Sequence, residues 1–224
     1  MKKSDVLIII PARGGSKGIP KKNLAKVGGT SLLAHSIKIA KNSKYGSNIV
    51  VSTDDANISQ EANRNGAEVI SRPKDISGDS ATSEDTLLHA LTYQNNFSKY
   101  KVLVMIQCTA PFTTSKDVDE TIKKLEIENA DSCFAAIKFN HFLWSRVING
   151  ASQPINHNGN LRKRRQDLEP QYLEAGSVYA MKIDAFLRDK NRFCGRTSCC
   201  EIPKQNCFEI DSYEDLLICR KLKV

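Results

Sequence analysis

No apolar run in this 224-residue chain approaches the roughly 20 residues that a bilayer-spanning helix needs. The first run, "VLIII" at Val6–Ile10, is five residues long and leads into Pro-Ala-Arg. That is no signal-peptide cleavage site, so the run reads as a buried first strand despite the two lysines ahead of it. Cysteine pairs of the C-x-x-C kind are also missing. The seven cysteines are odd in number, which argues against a disulfide framework and a zinc site and fits reduced cytoplasmic thiols. Aromatic residues make up only 7% of the chain and no nucleic-acid-binding motif is present. The net charge of +8 therefore points to phosphate or carboxylate ligands, with neither a nucleic acid nor a membrane as partner. Neither G-x-x-x-x-G-K-[ST] nor G-x-G-x-x-G follows the first strand, which disfavours a P-loop kinase or a dinucleotide enzyme. There is no internal repeat and no low-complexity linker.

What is present suits one α/β domain over residues 1–224, since 40% of the residues are hydrophobic and the length buries a sizeable core. Short β-rich runs alternate with helical periodicity through the first 130 residues, the pattern of a mostly parallel sheet in a three-layer, Rossmann-like arrangement. Strands are predicted at Val6–Ile10, Asn48–Ser52, Glu68–Ser71, Lys101–Gln107 and Ser132–Ile137. Helices are predicted at Ser31–Lys41, Asp55–Asn65, Ser83–Tyr93 and Ser115–Glu128, the last with Ser115 as N-cap and Val118, Ile122 and Leu125 on one stripe. From 138 to 172 the regularity fails, and this stretch reads as an excursion from the sheet. Regular structure returns at "GSVYAMKIDAFL". The final "CFEIDSYEDLLICRKL" reads as a strand entering an amphipathic helix with Leu216, Leu217 and Leu222 inward.

The densest chemistry lies in "PARGGSKGIPKKN", Pro11 to Asn23, where three glycines and four basic residues follow the first strand. A loop there sits at the carboxyl edge of the sheet, where open α/β folds bind ligands. Gly14, Gly15 and Gly18 let backbone N–H groups come close to a phosphate, while Arg13, Lys17, Lys21 and Lys22 offer cations. The alternative is a surface turn with solvated charges, against which Pro20 and the position between strand and helix both argue. At the other end of the chain Glu209 and Asp211 lie two apart in an apolar context. As strand neighbours on one face, they would present two carboxylates to one hard cation, Mg²⁺ or Mn²⁺. The competing reading is an acidic helix N-terminus with Glu214 and Asp215.

The loop resembles the nucleotide-binding signature of the N-acylneuraminate cytidylyltransferases. "VSTDD" at 51–55, "SRPKDISGDSATSED" at 71–85, "QCTAP" at 107–111, "RRQDLEPQYLEAG" at 164–176 and "EIDSYEDL" at 209–216 follow in the order of that family's later motifs. The resemblance implies attack of a sugar acid's anomeric hydroxyl on the α-phosphorus of CTP, with release of pyrophosphate and help from a divalent metal. It assigns catalytic contacts with the triphosphate to Arg13 and Lys22, and nucleotide contacts to Ala12, Gly14, Gly15, Ser16, Asn23, Arg72 and Ser83. Sugar contacts fall to Gln107, Tyr179, Phe193 and Arg165, and the metal to Asp211 and Glu209. Outside the resemblance, Ser83 also reads as a helix N-cap and Arg72 as a solvated turn residue.

The sequence departs from the family in two places. Cys108, Ala110, Phe112 and Thr113 replace residues of the usual Q-P-T-S-P-L-R segment, removing its arginine, and Glu209 stands where an aspartate is usual. His141 and Trp144 in "NHFLWS" resemble the substrate-side segment. The resemblance further implies a homodimer with shared active sites, in which Arg165 reaches the neighbour's sugar, and residues 138–172 form the dimerisation excursion. It implies a cytoplasmic enzyme, nuclear only in a vertebrate. N-acetylneuraminate, legionaminate, pseudaminate and 3-deoxy-octulosonate remain open as acceptors, and a nonenzymatic nucleotide- or RNA-binding module is the more distant alternative.

Overall fold

The computed structural model describes the chain except residues 17, 94–96, 148–149, 162 and 223–224, and except the side chain of residue 165. In chain order the strands are β1 (Val6–Pro11), β2 (Lys26–Val27), β3 (Thr30–Ser31), β4 (Ile49–Thr53), β5 (Glu68–Ser71), β6 (Val102–Ile106), β7 (Ser132–Phe139), β8 (Trp144–Arg146), β9 (Ser152–Pro154), β10 (Gln171–Lys182) and β11 (Thr197–Glu201). The helices are α1 (Leu32–Asn42), α2 (Ala56–Arg64), α3 (Ser83–Tyr93), α4 (Ser115–Ile127), α5 (Ile183–Asp189) and α6 (Tyr213–Leu222).

Seven strands form one sheet in the order β11-β7-β10-β6-β1-β4-β5. β10 runs antiparallel to both of its neighbours, whereas the other pairings are parallel. The unbroken apolar run of β1 explains the layering. Val6, Ile8 and Ile10 pack on one face with residues of α1, α2, α4 and α6, while Leu7 and Ile9 pack on the other with α3 and α5. A strand covered on both faces has no polar side to alternate with, so the sequence is apolar throughout. Among the described residues no helix is long and apolar enough to cross a membrane.

The five predicted strands and four predicted helices all form, with ends shifted by a residue or two. Four local expectations need correction. Thr114, not Ser115, caps α4: its hydroxyl accepts from the Asp117 N–H while the Asp117 carboxylate accepts from the Thr114 N–H, a reciprocal capping box. Thr82 and Asp85 do the same for α3, so Ser83 is the first helical residue and not its cap. The segment before α6 joins no sheet. It crosses the ends of the strands, tied by the Ile210 N–H to the Thr109 oxygen at 2.8 Å. In α6, Leu216 and Cys219 are buried, but Leu217 and Leu222 face outward.

The expected excursion is an arm. β7 and β10 continue as a paired ribbon to Phe139 and Gln171, and a small hairpin of β8 and β9 sits between them. Phe142 and Trp144 both pack on His157, while Leu143, Trp144, Ile155, Leu161, Tyr172 and Leu173 remain exposed. Phe139 and Phe142 are half-buried within the arm.

Candidate active site

The site lies beyond the carboxyl ends of β1, β4 and β6, as the strand–loop–helix order implies. The chain leaves β1 held to its neighbour by the Ala12 N–H on the Ser52 oxygen at 3.0 Å. The Gly14 N–H then donates to Asp54 Oδ1 at 2.9 Å, while Asp55 caps α2, so the two aspartates of "VSTDD" divide loop anchoring from helix capping. The Asn23 side chain is buried and donates to the Arg13 oxygen at 3.0 Å, which closes the loop on itself. On the far side, a Cβ at Gly18 would stand only 2.7 Å from the Asp211 backbone oxygen, and Lys22 Nζ donates to the Ile210 oxygen at 2.9 Å and to Asp211 Oδ1 at 3.3 Å. The glycine loop is thereby docked against the acidic segment nearly two hundred residues away. Lys21, next to Pro20, takes the left-handed conformation with φ 53°, a costly backbone choice for a side chain with a Cβ.

The resulting cleft has a volume of about 430 Å³. Nine of the expected residues line it: Arg13, Ser16, Gly18, Lys22, Asn23, Arg72, Ser83, Gln107 and Asp211. Thr82, Ser83 and Thr86 bring the N-terminus of α3 to its wall, where the helix dipole favours an anion or a base's acceptor edge. Arg13 Nη1 donates to the Gly78 oxygen at 3.0 Å and to Asp79 Oδ1 at 3.3 Å, bridging the cleft. Arg72 is no solvated turn residue. It is 6% exposed, with Nε and Nη2 on the hydroxyl and carbonyl of Ser52, and burial lowers its guanidinium to about 10, with Asp54 opposing that shift.

Other expected residues fall elsewhere. Ala12 is fully buried behind the cleft, and Gly14 and Gly15 shape the loop without lining the cavity. Glu209 lies one step away. Its Oε1 accepts from Thr109 Oγ1 at 3.2 Å, and desolvation, followed by repulsion from Asp211, holds its carboxyl above the usual range. The two carboxylates flank the buried Ile210 in a segment that is not a strand, Asp211 on the cleft and Glu209 on the cavity beside it. Among the described residues no set of three His, Cys, Asp or Glu side chains could hold a metal. Asp211 and Glu209, near enough to repel each other, are the oxygen donors suited to a hard cation whose remaining ligands are phosphate oxygens and water. His141 is exposed on the arm beside Phe139. Lys17, Arg162 and the side chain of Arg165 lie outside the described residues.

A second, smaller cavity of about 280 Å³ adjoins the first through Gln107 and is bounded by Glu174, Gly176, Tyr179, Arg192 and Glu209. A register shift in β10 between Glu174 and Tyr179 opens it. Gly176 there has φ +58°, and a Cβ on it would collide with the Glu209 carboxylate. Tyr179 is buried, its hydroxyl donating to Glu174; desolvation and then that bond raise its titration. Phe193 does not line this cavity. It packs edge-on against Phe134 and Tyr179, bracing the wall from behind. Arg192 and Glu174 here, and Asp79, Thr82 and Thr86 in the cleft, are lining residues that the sequence reading missed.

The profile of the cytidylyltransferase family matches residues 7–213. N-acylneuraminate cytidylyltransferase A of Danio rerio is 33% identical over 81% of this chain and 42% of its own length. Pseudaminic acid cytidylyltransferase of Campylobacter jejuni is 30% identical over 94% of this chain and 92% of its own length. A solved CMP-2-keto-3-deoxy-manno-octonic acid synthetase in complex with CTP superimposes with a TM-score of 0.71 at 16% identity, covering 98% of each chain, a likeness of fold. The chain spans about half the length, or less, of the curated N-acylneuraminate relatives it matches.

Proposed function

The chain belongs to the cytidylyltransferase family, and we propose that it transfers CMP from CTP to the anomeric hydroxyl of a nine-carbon sialic-type sugar acid, with N-acetylneuraminate the first acceptor to test. The observation that carries this reading is the two-chamber site. A cleft with a glycine-rich basic loop meets, through Gln107 and the carboxylates of Glu209 and Asp211, a second polar cavity. One chamber suits a nucleoside triphosphate and the other an oxygen-rich acceptor, with the reacting atoms at the junction.

The chemistry is in-line displacement. The acceptor hydroxyl gives up its proton to solvent as its oxygen bonds to the α-phosphorus, the bond to the bridging oxygen of the β-phosphate breaks, and pyrophosphate leaves. Such a step depends mainly on alignment and on neutralising phosphate charge. Arg13 and Lys22 offer cations, and backbone N–H groups of residues 14–16 offer a cradle. Ser83 at the start of α3 and the buried Arg72 face the base end, while Asn23 keeps the loop's shape. Asp211 and Glu209 would hold Mg²⁺ or Mn²⁺, which when bound polarises the phosphate and shields its charge. Gln107 at the junction contacts the acceptor.

The arm of residues 138–172 would bury its exposed apolar residues against a second copy, giving a homodimer in which Arg165 reaches the neighbouring site. This reading places the reaction in the cytoplasm, where CTP is made. The test is pyrophosphate release from CTP, ATP and GTP with Mg²⁺ and a panel of sugar acids. Release only with CTP and a sialic-type acid supports the proposal, and no release with any acid in the panel refutes it.

A further inference from the structure

Four of the ten residues of α6 turn large apolar side chains to solvent. Tyr213, Leu217, Ile218 and Leu222 are between 46% and 65% exposed, while Leu216 and Cys219 are buried against the body. A surface helix ordinarily keeps its outer face polar, and an exposed apolar face of this kind marks a contact surface. The helix is held at both ends. The Asp215 carboxylate accepts from the Ser212 N–H at 2.8 Å and from the Asp211 N–H at 3.1 Å, and Arg220 Nε donates to the Lys26 oxygen at 3.0 Å. The outward face is therefore presented in one orientation, which lowers the ordering cost of covering it.

The charges on that face decide what covers it. At about 100° of turn per residue, the exposed Glu214 and Lys221 lie along its middle, with Tyr213 and Leu217 on one flank and Ile218 and Leu222 on the other. Two copies of α6 packed in parallel would set Glu214 against Glu214 and Lys221 against Lys221. Packed antiparallel about a two-fold axis between residues 217 and 218, they set each Glu214 against the other copy's Lys221. Leu217 then meets Leu217 on one flank, and Ile218 meets Ile218 on the other. The face is self-complementary in that arrangement, as a two-fold contact requires. We propose that α6 is a self-association surface of this chain, distinct from the arm, which pairs antiparallel with α6 of a second copy. Ten residues make a helix only about 15 Å long. Two such faces bury less than the roughly 1,200 Å² of a standard interface, so the pairing is weak and depends on concentration.

The test is sedimentation velocity of the whole chain from about 1 to about 100 μM, the range of weak contacts, beside a thermal melt of each variant. The samples are wild type, Glu214→Lys, Lys221→Glu, an equimolar mixture of those two, and the double variant Leu217→Gln with Ile218→Gln. The arm is unaltered in all of them, so any pairing there is common to the set. Each charge variant should associate roughly tenfold more weakly than wild type, because two attractive contacts become repulsive. Their mixture should recover wild-type association, since a mixed pair again sets opposite charges together at both contacts. The double variant should lose the association. It changes no charge and keeps helix-forming residues, so it decides the matter should a charge variant melt early. A double variant with the mass of wild type at every concentration would leave the face to some other partner and overturn the proposal. A mixture of folded charge variants that associates no better than its parts would overturn the antiparallel pairing.

Discussion

Gly18→Ala probes the docking of the glycine loop on the acidic segment. The added Cβ would stand 2.7 Å from the Asp211 backbone oxygen, where ordinary contact begins at 3.4 Å, so the two segments must part by about 0.7 Å. Moving the loop that far takes Lys22 Nζ from 2.9 Å to about 3.6 Å from the Ile210 oxygen, outside hydrogen-bond range. The φ at Gly18 is not left-handed, so the effect is one of contact and not of backbone strain. The loop is surface structure, and losing one such hydrogen bond costs about 1 kcal/mol, or roughly 2–4 °C in melting temperature for a chain of this size. Turnover should suffer far more, because a displacement of this order between catalytic groups can cost on the order of a hundredfold. The assay is steady-state pyrophosphate release beside a thermal melt. A variant that melts like wild type and turns over within about threefold of it would refute the idea that loop and acidic segment must be held in register. Gly15→Ala is the control, since its Cβ meets nothing in the protein and any loss there reports on the bound phosphate.

Asp211→Ala should abolish metal-dependent turnover and Glu209→Ala impair it less, read as rate against Mg²⁺ concentration; wild-type rates in Asp211→Ala would reduce the pair to a helix-capping cluster. Arg13→Ala should lower kcat by on the order of a hundredfold, since a cation on developing phosphate charge is worth about 3 kcal/mol. An unchanged rate would make the loop a mere turn. Burial pushes the Glu84 carboxyl up, but its bonds to Arg192 outweigh this and hold it below the usual value. The stability it contributes is therefore full above an unfolded glutamate's pKa of about 4.3 and is lost as pH falls through the lower folded value. Glu84→Gln should cost about 2–3 kcal/mol at neutral pH and much less in acid, read by urea unfolding across that window. A loss that does not vary with pH would show that the ion pair contributes nothing.

The parts of the fold that sequence made legible are those set by local pattern. β1, β4 and β6 are apolar enough to announce burial on both faces, and α4 carries its stripe at helical spacing. The starts of α3 and α4 agree with the sequence reading and only their caps fall one residue earlier, because in "TSED" and "TSKD" the Thr–Asp spacing of the capping box favours the threonine before the serine. That signal was present in the sequence. β10 was beyond local reading: its antiparallel insertion between β6 and β7 is set by tertiary pairing. Likewise Leu217 and Leu222 fit an inward stripe by composition, yet α6 meets the body along a narrower line through Leu216 and Cys219. In the site, Arg13, Ser16, Lys22, Asn23, Arg72 and Ser83 lie in contiguous motifs, so that they would meet at one cleft could be read. Arg192 could not, since its meaning comes from Glu84, 108 residues earlier, and from the Tyr179 ring beneath it.

The central claim is that the acceptor's anomeric oxygen attacks the α-phosphorus of CTP. Its most direct measurement is the mass of the product formed from CTP, Mg²⁺ and N-acetylneuraminate labelled with heavy oxygen at the anomeric hydroxyl. The account predicts a CMP-linked sugar acid that retains the label in the bridging position, formed one for one with pyrophosphate. Pyrophosphate with unlinked CMP, or a CMP-sugar without the label, would contradict it.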